Sequence, residues 1–193
     1  RQDTLGRLAA DEYLPIVLVY VLFSFIGQGV VGFLPTLLQV DQGFTSTQAS
    51  LVYASVFLVG LLIKPVAGQL SDRTRRLTVA IGSFILGIVG LAILISATSI
   101  PMAVLGTVGF ALGHRSFPPV MQAYLMDRFP DESMAGDLGA IRTVYIALGS
   151  LGPTYVGYMA TQMSYTAAYS GFILCFAIGI ALLAYQWIRH RPV

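Results

Sequence analysis

Six stretches of this 193-residue chain are apolar over a length that can cross a lipid bilayer, and this restricts the fold more than any other feature. They lie near 13–38, 46–70, 77–98, 101–126, 138–161 and 167–188. A helix rising about 1.5 Å per residue needs about 20 residues to traverse ~30 Å of hydrocarbon, and each run meets that length. The separators are short and polar: DQGFTS at 41–46, SDRTRR at 71–76, TSIP at 98–101, DRFPDESMAGD at 127–137 and QMSYT at 162–166. Links this short force neighbouring helices antiparallel. The expected fold is therefore an all-α membrane protein of six transmembrane helices. A soluble helical protein would need polar faces on its outer helices, and these runs are apolar nearly all round. An outer-membrane barrel would show alternating segments of about ten residues, which are absent.

Composition agrees: 56% of residues are hydrophobic, 10% are charged, and the mean hydropathy is +0.77. A net charge of +2 without a periodic basic face gives no basis for nucleic acid binding. The single cysteine, Cys175, lies in an apolar run, which rules out an internal disulfide and reads as packing. The opening RQDTLGRLAADEY is polar and mixed in charge, unlike a signal peptide, so the chain reads as cut from a longer one.

Basic residues set the orientation, because Lys and Arg collect in loops on the cytoplasmic side. Arg1, Arg7, Arg73, Arg75, Arg76, Arg128, Arg189 and Arg191 all fall on one side, and no basic residue falls on the other. Lys64, Arg115 and Arg142 lie within helices. Both ends of the chain, 1–12 and 189–193, are thus expected in the cytoplasm, with the loops at 41, 98 and 162 outside. A multi-pass protein of the cell membrane follows. Small residues let helices approach closely in lipid. Gly106, Gly109 and Gly113 share a face of the fourth helix, and Gly149, Pro153 and Gly157 do so on the fifth. Pro35, Pro65, Pro118 and Pro119 are placed to bend or end their helices.

The link after the second helix reads GQLSDRTRR, from Gly68 to Arg76. It is similar to the signature of major facilitator transporters, Gly-x-Leu-(Ala/Ser)-Asp-(Arg/Lys)-x-Gly-(Arg/Lys)-(Arg/Lys). Gly68, Leu70, Ser71, Asp72, Arg73 and Arg76 match in position, whereas Arg75 replaces the usual glycine and Leu77 the last basic residue. The stretch from Pro118 to Pro153 resembles the fourth and fifth helices of a facilitator half, through Pro119, Asp127, Pro130, Gly136, Gly139, Gly152 and Pro153. First halves normally carry an arginine early in the fourth helix, near Leu105 here, and this chain lacks it. The resemblance therefore implies the second half of a 12-helix bundle, helices seven to twelve, built as a 3+3 inverted repeat, with 1–12 as the end of the central loop.

The same resemblance implies transport by alternating access about a midplane site between two halves, with the first and fourth helices of each half lining the cavity. On the first, Tyr20, Ser24 and Gln28 recur every four residues as one polar stripe. On the fourth, Arg115 and Gln122 are seven apart on one face, with His114 about 100° away. Arg115 lies about 18 Å from the cytoplasmic end, too deep for easy snorkelling. A charge kept there, at about 3 kcal/mol by insertion scales, faces water, a partner or a ligand. It fits an anionic solute or a carboxylate of the missing half, or else an internal ion pair that holds the two halves together. His114 reads either as a proton-coupling group or as hydrogen-bonded packing. Tyr53 and Tyr145 are weaker candidates for the cavity wall.

At the signature loop, Asp72 is expected to form a latch, with Arg142 as its partner at the same depth, unless Arg142 snorkels to the surface. No Asp or Glu lies deep in any helix, so a carboxylate driving proton coupling would lie outside these residues. There is no nucleotide-binding loop, metal-ligand cluster or nucleophile motif, and no cofactor or enzymatic chemistry is implied. The expected partners are a small-molecule solute, the lipid bilayer, and the missing N-terminal six-helix half or a second copy. Efflux of amphipathic compounds and transport of an organic anion are both open. The alternative is a membrane-embedded scaffold or enzyme subunit acting on lipid or a partner helix.

Overall fold

The computed structural model describes residues 13–189. Arg1, Arg7 and Arg191, and the expected assignments of 1–12 and 190–193, lie outside them. Among the described residues seven helices make six crossings: α1 (Leu14–Val40), α2 (Ser46–Arg73), α3 (Arg76–Ile95), α4 (Ile100–Met126), α5 (Met134–Gly149), α6 (Leu151–Gln162) and α7 (Tyr165–Arg189).

The expected fifth helix, 138–161, is two helices. Pro153 has no N–H to give the Gly149 carbonyl, and the helix is interrupted at Ser150. Ser150 keeps right-handed backbone angles of −62° and −12°, so α5 and α6 remain one jointed crossing. Alone, 16 and 12 residues would rise only about 24 and 18 Å, short of the bilayer. By length and composition four helices, α1, α2, α3 and α7, qualify singly as membrane spans. The fourth crossing carries His114, Arg115 and the prolines, and it still runs unbroken for 27 residues.

The links are tied at both ends of the bundle. Thr45 and Gln48 form a reciprocal capping box on α2, with Gln48 N donating to Thr45 Oγ1 at 3.3 Å and Thr45 N to Gln48 Oε1 at 2.9 Å. Gly43, at φ +72°, supplies the turn before it. Asp41 Oδ2 accepts from Thr166 N at 2.7 Å, capping α7, while Gln42 Nε2 donates to the Leu94 carbonyl at 2.6 Å at the end of α3. At the opposite end, Arg76 reaches Asp127 and Arg75 lies over Trp187. Alternate links therefore gather at opposite ends, as six antiparallel crossings require.

Packing follows an exchange of triplets. α1 packs on α5, α6 and α7, α4 packs on α2 and α3, and the third helices, α3 and α7, meet each other. The α3–α7 contact is reciprocal: Gly87 makes room for the Phe176 ring and Gly179 makes room for the Phe84 ring. Each phenylalanine stands three residues before the glycine that receives the other, so Phe84–Gly87 and Phe176–Gly179 are the same device on two antiparallel helices. This is the packing a two-fold axis in the membrane plane produces, as in a 3+3 inverted repeat.

The tightest seam joins α3 to α4. A Cβ on Gly106 would lie 2.7 Å from Leu94 Cα, one on Gly109 3.1 Å from Gly90 Cα, and one on Gly113 2.5 Å from Gly87 N. Backbone meets backbone here, and Ser83 and Ser116 share a buried 3.0 Å hydrogen bond in the same seam. The expected glycine face of the fourth helix thus has its partner. The expected face of the fifth is only partly used. Gly149 abuts Ser24 and Pro153 lies 4.0 Å from a Cβ built on Gly32, whereas a Cβ on Gly157 would meet nothing within 4 Å; Gly152, beside that face, abuts the backbone of Phe25 and Gly29.

Candidate functional site

The polar stripe of α1 turns toward α5 and α4. Gln28 Nε2 donates to Ser24 Oγ at 2.9 Å and to the Ile146 carbonyl at 3.4 Å. One turn before Ser24, Tyr20 stacks on Tyr145 with ring centroids 5.2 Å apart and meets Phe117 edge-on at 5.4 Å. Tyr20 and Ser24 are buried by these contacts.

Six expected cavity residues divide between two grooves. Ser24, Gln28, His114 and Arg115 line a groove of about 420 Å³ with Gly27, Gly32 and Pro153. Tyr20 and Gln122 line a smaller one, about 220 Å³, with Tyr145 and Arg142. Arg115 and Gln122 are two turns apart, about 10 Å along α4, and this distance separates the grooves.

His114 is buried between aromatic rings. Its ring stacks between Phe23, at 4.1 Å, and Phe110, at 5.3 Å, and Gly27 leaves the space it fills. Nε2 lies 3.1 Å from the Phe23 carbonyl, which can only accept, so this nitrogen carries the proton. Nδ1 is buried and has no hydrogen-bond partner among the described residues. His114→Phe, which keeps the stack, is expected to leave the pH profile of solute uptake by the full-length protein unchanged. A flattened profile would make His114 a coupling group.

Arg115 reaches away from α1 across α2. Its side chain runs over Gly60, and the guanidinium lies 5.8 Å from the Phe57 ring centre. Phe57, Gly60, Leu61, Lys64 and Arg115 together line a third groove of about 250 Å³, so Arg115 joins it to the groove on α1. Among the described residues Arg115 has no carboxylate partner. Its charge is therefore not met by an ion pair among the described residues. Lys64 was not singled out in the sequence. It lies nine residues before the end of α2, about 14 Å deep, and that depth was the available signal. Tyr53 stacks edge-on against Phe57 on the same helix.

The signature loop forms an ion network different from the expected latch. Arg76 Nε donates to Asp127 Oδ2 at 2.8 Å, Nη2 approaches Oδ1 at 3.4 Å, and Nη1 lies 3.5 Å from Asp72 Oδ1. Asp72 therefore pairs with Arg76 one turn on, and Arg142 lines the groove with Tyr20 and Gln122. Equal depth did not imply equal azimuth. Among the described residues Gly68 does not bring two helices together, since a Cβ there would meet nothing within 4 Å. Leu70 and Arg73 are exposed. With Asp127 57% and Asp72 68% exposed, the network is partly screened, and Arg76→Gln is expected to cost about 1 kcal/mol or less, read as a small melting shift that shrinks in high salt.

The sequence profile of the Major Facilitator Superfamily matches residues 16–193. The chain belongs to the Major Facilitator Superfamily. Two solved facilitator-type structures share its fold. One is titled "Crystal structure of auto inhibited POT family peptide transporter", at 17% identity and a TM-score of 0.79, covering 95% of this chain and 38% of its own. The other, a bacterial homologue of the human lysosomal transporter Spinster in an inward-facing and unoccupied conformation, gives 16% identity and a TM-score of 0.73, covering 99% of this chain and 44% of its own. The chain thus spans less than half the length of either, as one six-helix half of a facilitator does. Comparison with curated proteins gives no match. Membership of this family of multi-pass membrane transporters decides against the enzyme alternative.

Proposed function

We infer that this facilitator half forms one wall of a pathway that carries a small organic anion by secondary active transport, through alternating access. The observation that carries this reading is the groove shared by Arg115 and Lys64. Two cations from different helices face one space beside Phe57, deep in the membrane, with no carboxylate beside them among the described residues. Holding two such charges in hydrocarbon costs several kcal/mol, and an anionic ligand in a water-filled path offsets that cost. Phe57 adds an apolar surface for the organic part of the solute.

The open face of α2 supports a second half. Leu58, Leu61 and Leu62 are 65%, 76% and 70% exposed beside this groove. Six further helices, from an N-terminal half or a second copy, would cover the face and close the cavity, with Gln28 and Gln122 as the other polar wall groups. Both ends of the chain then lie in the cytoplasm of the cell membrane, and the Arg76 network helps hold one closed state. Among the described residues the acidic side chains stay near helix ends. Asp137, buried in the first turn of α5 where the helix dipole favours a carboxylate, is the deepest placed. A coupling carboxylate at the midplane is therefore assigned to the other half.

The test is thermal stabilisation of the full-length protein by a library of organic anions and their neutral analogues, repeated with Arg115→Ala. Anion-selective stabilisation that disappears in the variant supports the reading, and equal stabilisation by neutral analogues would refute it.

A further inference from the structure

Two cavities on the α2–α3 side of the bundle meet at Thr74. The first, about 430 Å³ at the signature-loop end, is lined by Arg75, Arg76 and Arg128 together with Asp72 and Asp127. Arg76 is held by both aspartates. Arg75 and Arg128 instead lie on aromatic rings, 5.7 Å from the centre of Trp187 and 3.9 Å from that of Tyr124, and neither pairs with a carboxylate among the described residues. A guanidinium stacked on a ring keeps its N–H donors in plane at its edge, the fork that a phosphate accepts. The α3 N-terminus, which starts here without a side-chain cap among the described residues, adds the positive end of its helix dipole.

The second cavity, about 490 Å³, is almost wholly apolar: Ile63, Val66 and Leu70 form one side, Val79 and Leu86 the other, and Leu112 lies beneath. It exists because α2 and α3 each rest on α4 while touching each other little. From Thr74 to Ile63 it runs eleven residues along α2, about 16 Å, close to the depth of one hydrocarbon leaflet, half of ~30 Å. A cationic mouth thus opens into an oily slot one leaflet deep.

We propose that this composite cavity binds one anionic phospholipid of the leaflet on the signature-loop side, its phosphate between Arg75 and Arg128 and one acyl chain in the α2–α3 slot. The arginines outnumber the aspartates of the mouth, which favours a net negative headgroup in the leaflet where anionic lipids concentrate. A soluble phosphate would use the mouth and leave the slot empty. The bound lipid would tie α2, α3, α4 and α7 together at the end where the signature loop sits. This site is separate from the solute grooves and does not depend on the transport reading.

The test is titration of the delipidated full-length protein with phosphatidylglycerol, phosphatidylcholine or inorganic phosphate, followed by native mass spectrometry and melting. Phosphatidylglycerol is expected to bind and stabilise at concentrations at least tenfold below phosphatidylcholine. Arg75→Gln with Arg128→Gln should weaken it roughly 30-fold, about one unit of leaflet attraction per arginine. Gly82→Leu, which fills the slot where a Cβ meets nothing within 4 Å, should weaken it without lowering the lipid-free melting temperature. Arg73→Gln, which removes a charge from the same loop outside the cavity, should have little effect. Equal binding of the two lipids, equal weakening by Arg73→Gln, or stabilisation by inorganic phosphate matching that by phosphatidylglycerol would each overturn the proposal.

Discussion

Replacing Gly90 with leucine is expected to abolish the folded bundle. A Cβ at Gly90 would lie 2.5 Å from the Gly109 carbonyl carbon and 2.7 Å from Phe110 Cα, and still closer to Phe110 N. These are backbone atoms, and no rotamer change relieves the overlap. The two helices would have to move apart along the whole seam, opening the Ser83–Ser116 hydrogen bond and the contacts at Gly106 and Gly113. In lipid, close packing is the main term holding helices together, because tails are as apolar as the side chains. Overpacking a core costs about 1–3 kcal/mol where side chains can shift, and this site should lie at or beyond the upper end. Monodisperse yield and melting temperature check it: Gly90→Leu should give little folded protein, while Gly82→Leu, on the same helix but facing open space, should behave like the parent. A normal yield for Gly90→Leu would show that α3 and α4 are not in backbone contact.

Arg115→Ala is expected to weaken anion binding by about 30-fold or more, from the ~2 kcal/mol or more lost when one partner of a desolvated charge pair is removed. Lys64→Ala, at a position more open to the water-filled groove than Arg115, should lose less, roughly fivefold. Arg115→Lys keeps the charge but not the planar fork, and should fall between wild type and alanine. Half-saturating anion concentration in the stabilisation or uptake assay reads all three. If Arg115 instead holds the two halves together through a carboxylate of the other half, Arg115→Ala would lower the solute-free melting temperature while anion preference stayed intact. The two roles therefore separate on different readouts.

The crossings were legible because the bilayer imposes a length, and a run of about 20 apolar residues states that length directly. The glycine face at Gly106, Gly109 and Gly113 was legible for a related reason: helices in lipid must touch through small residues. The break at Ser150 was not read, although Pro153 marks it, because apolar length does not register one missing backbone hydrogen bond. Glycine also does not declare which of its neighbours will arrive, and Gly68 and Gly157 face open space for that reason. The Arg76–Asp127 pair joins residues 51 apart in sequence, and depth along the membrane could not choose between Arg76 and Arg142 as the partner of Asp72. Arg115 stood out through its charge and depth. Lys64 has the same two properties but needed the coordinates to show that it shares a groove with Arg115.

The measurement that tests the central claim most directly asks whether the Arg115–Lys64 groove is wet. In the full-length protein with Cys175 replaced by serine, a cysteine at Leu61 should react with a charged, membrane-impermeant thiol reagent, and bound anion should slow that reaction. A cysteine at Leu174, exposed on α7 and outside the grooves described above, should stay unreactive. Leu61→Cys as inert as Leu174→Cys, with or without anion, would place both cations against lipid and contradict the solute pathway.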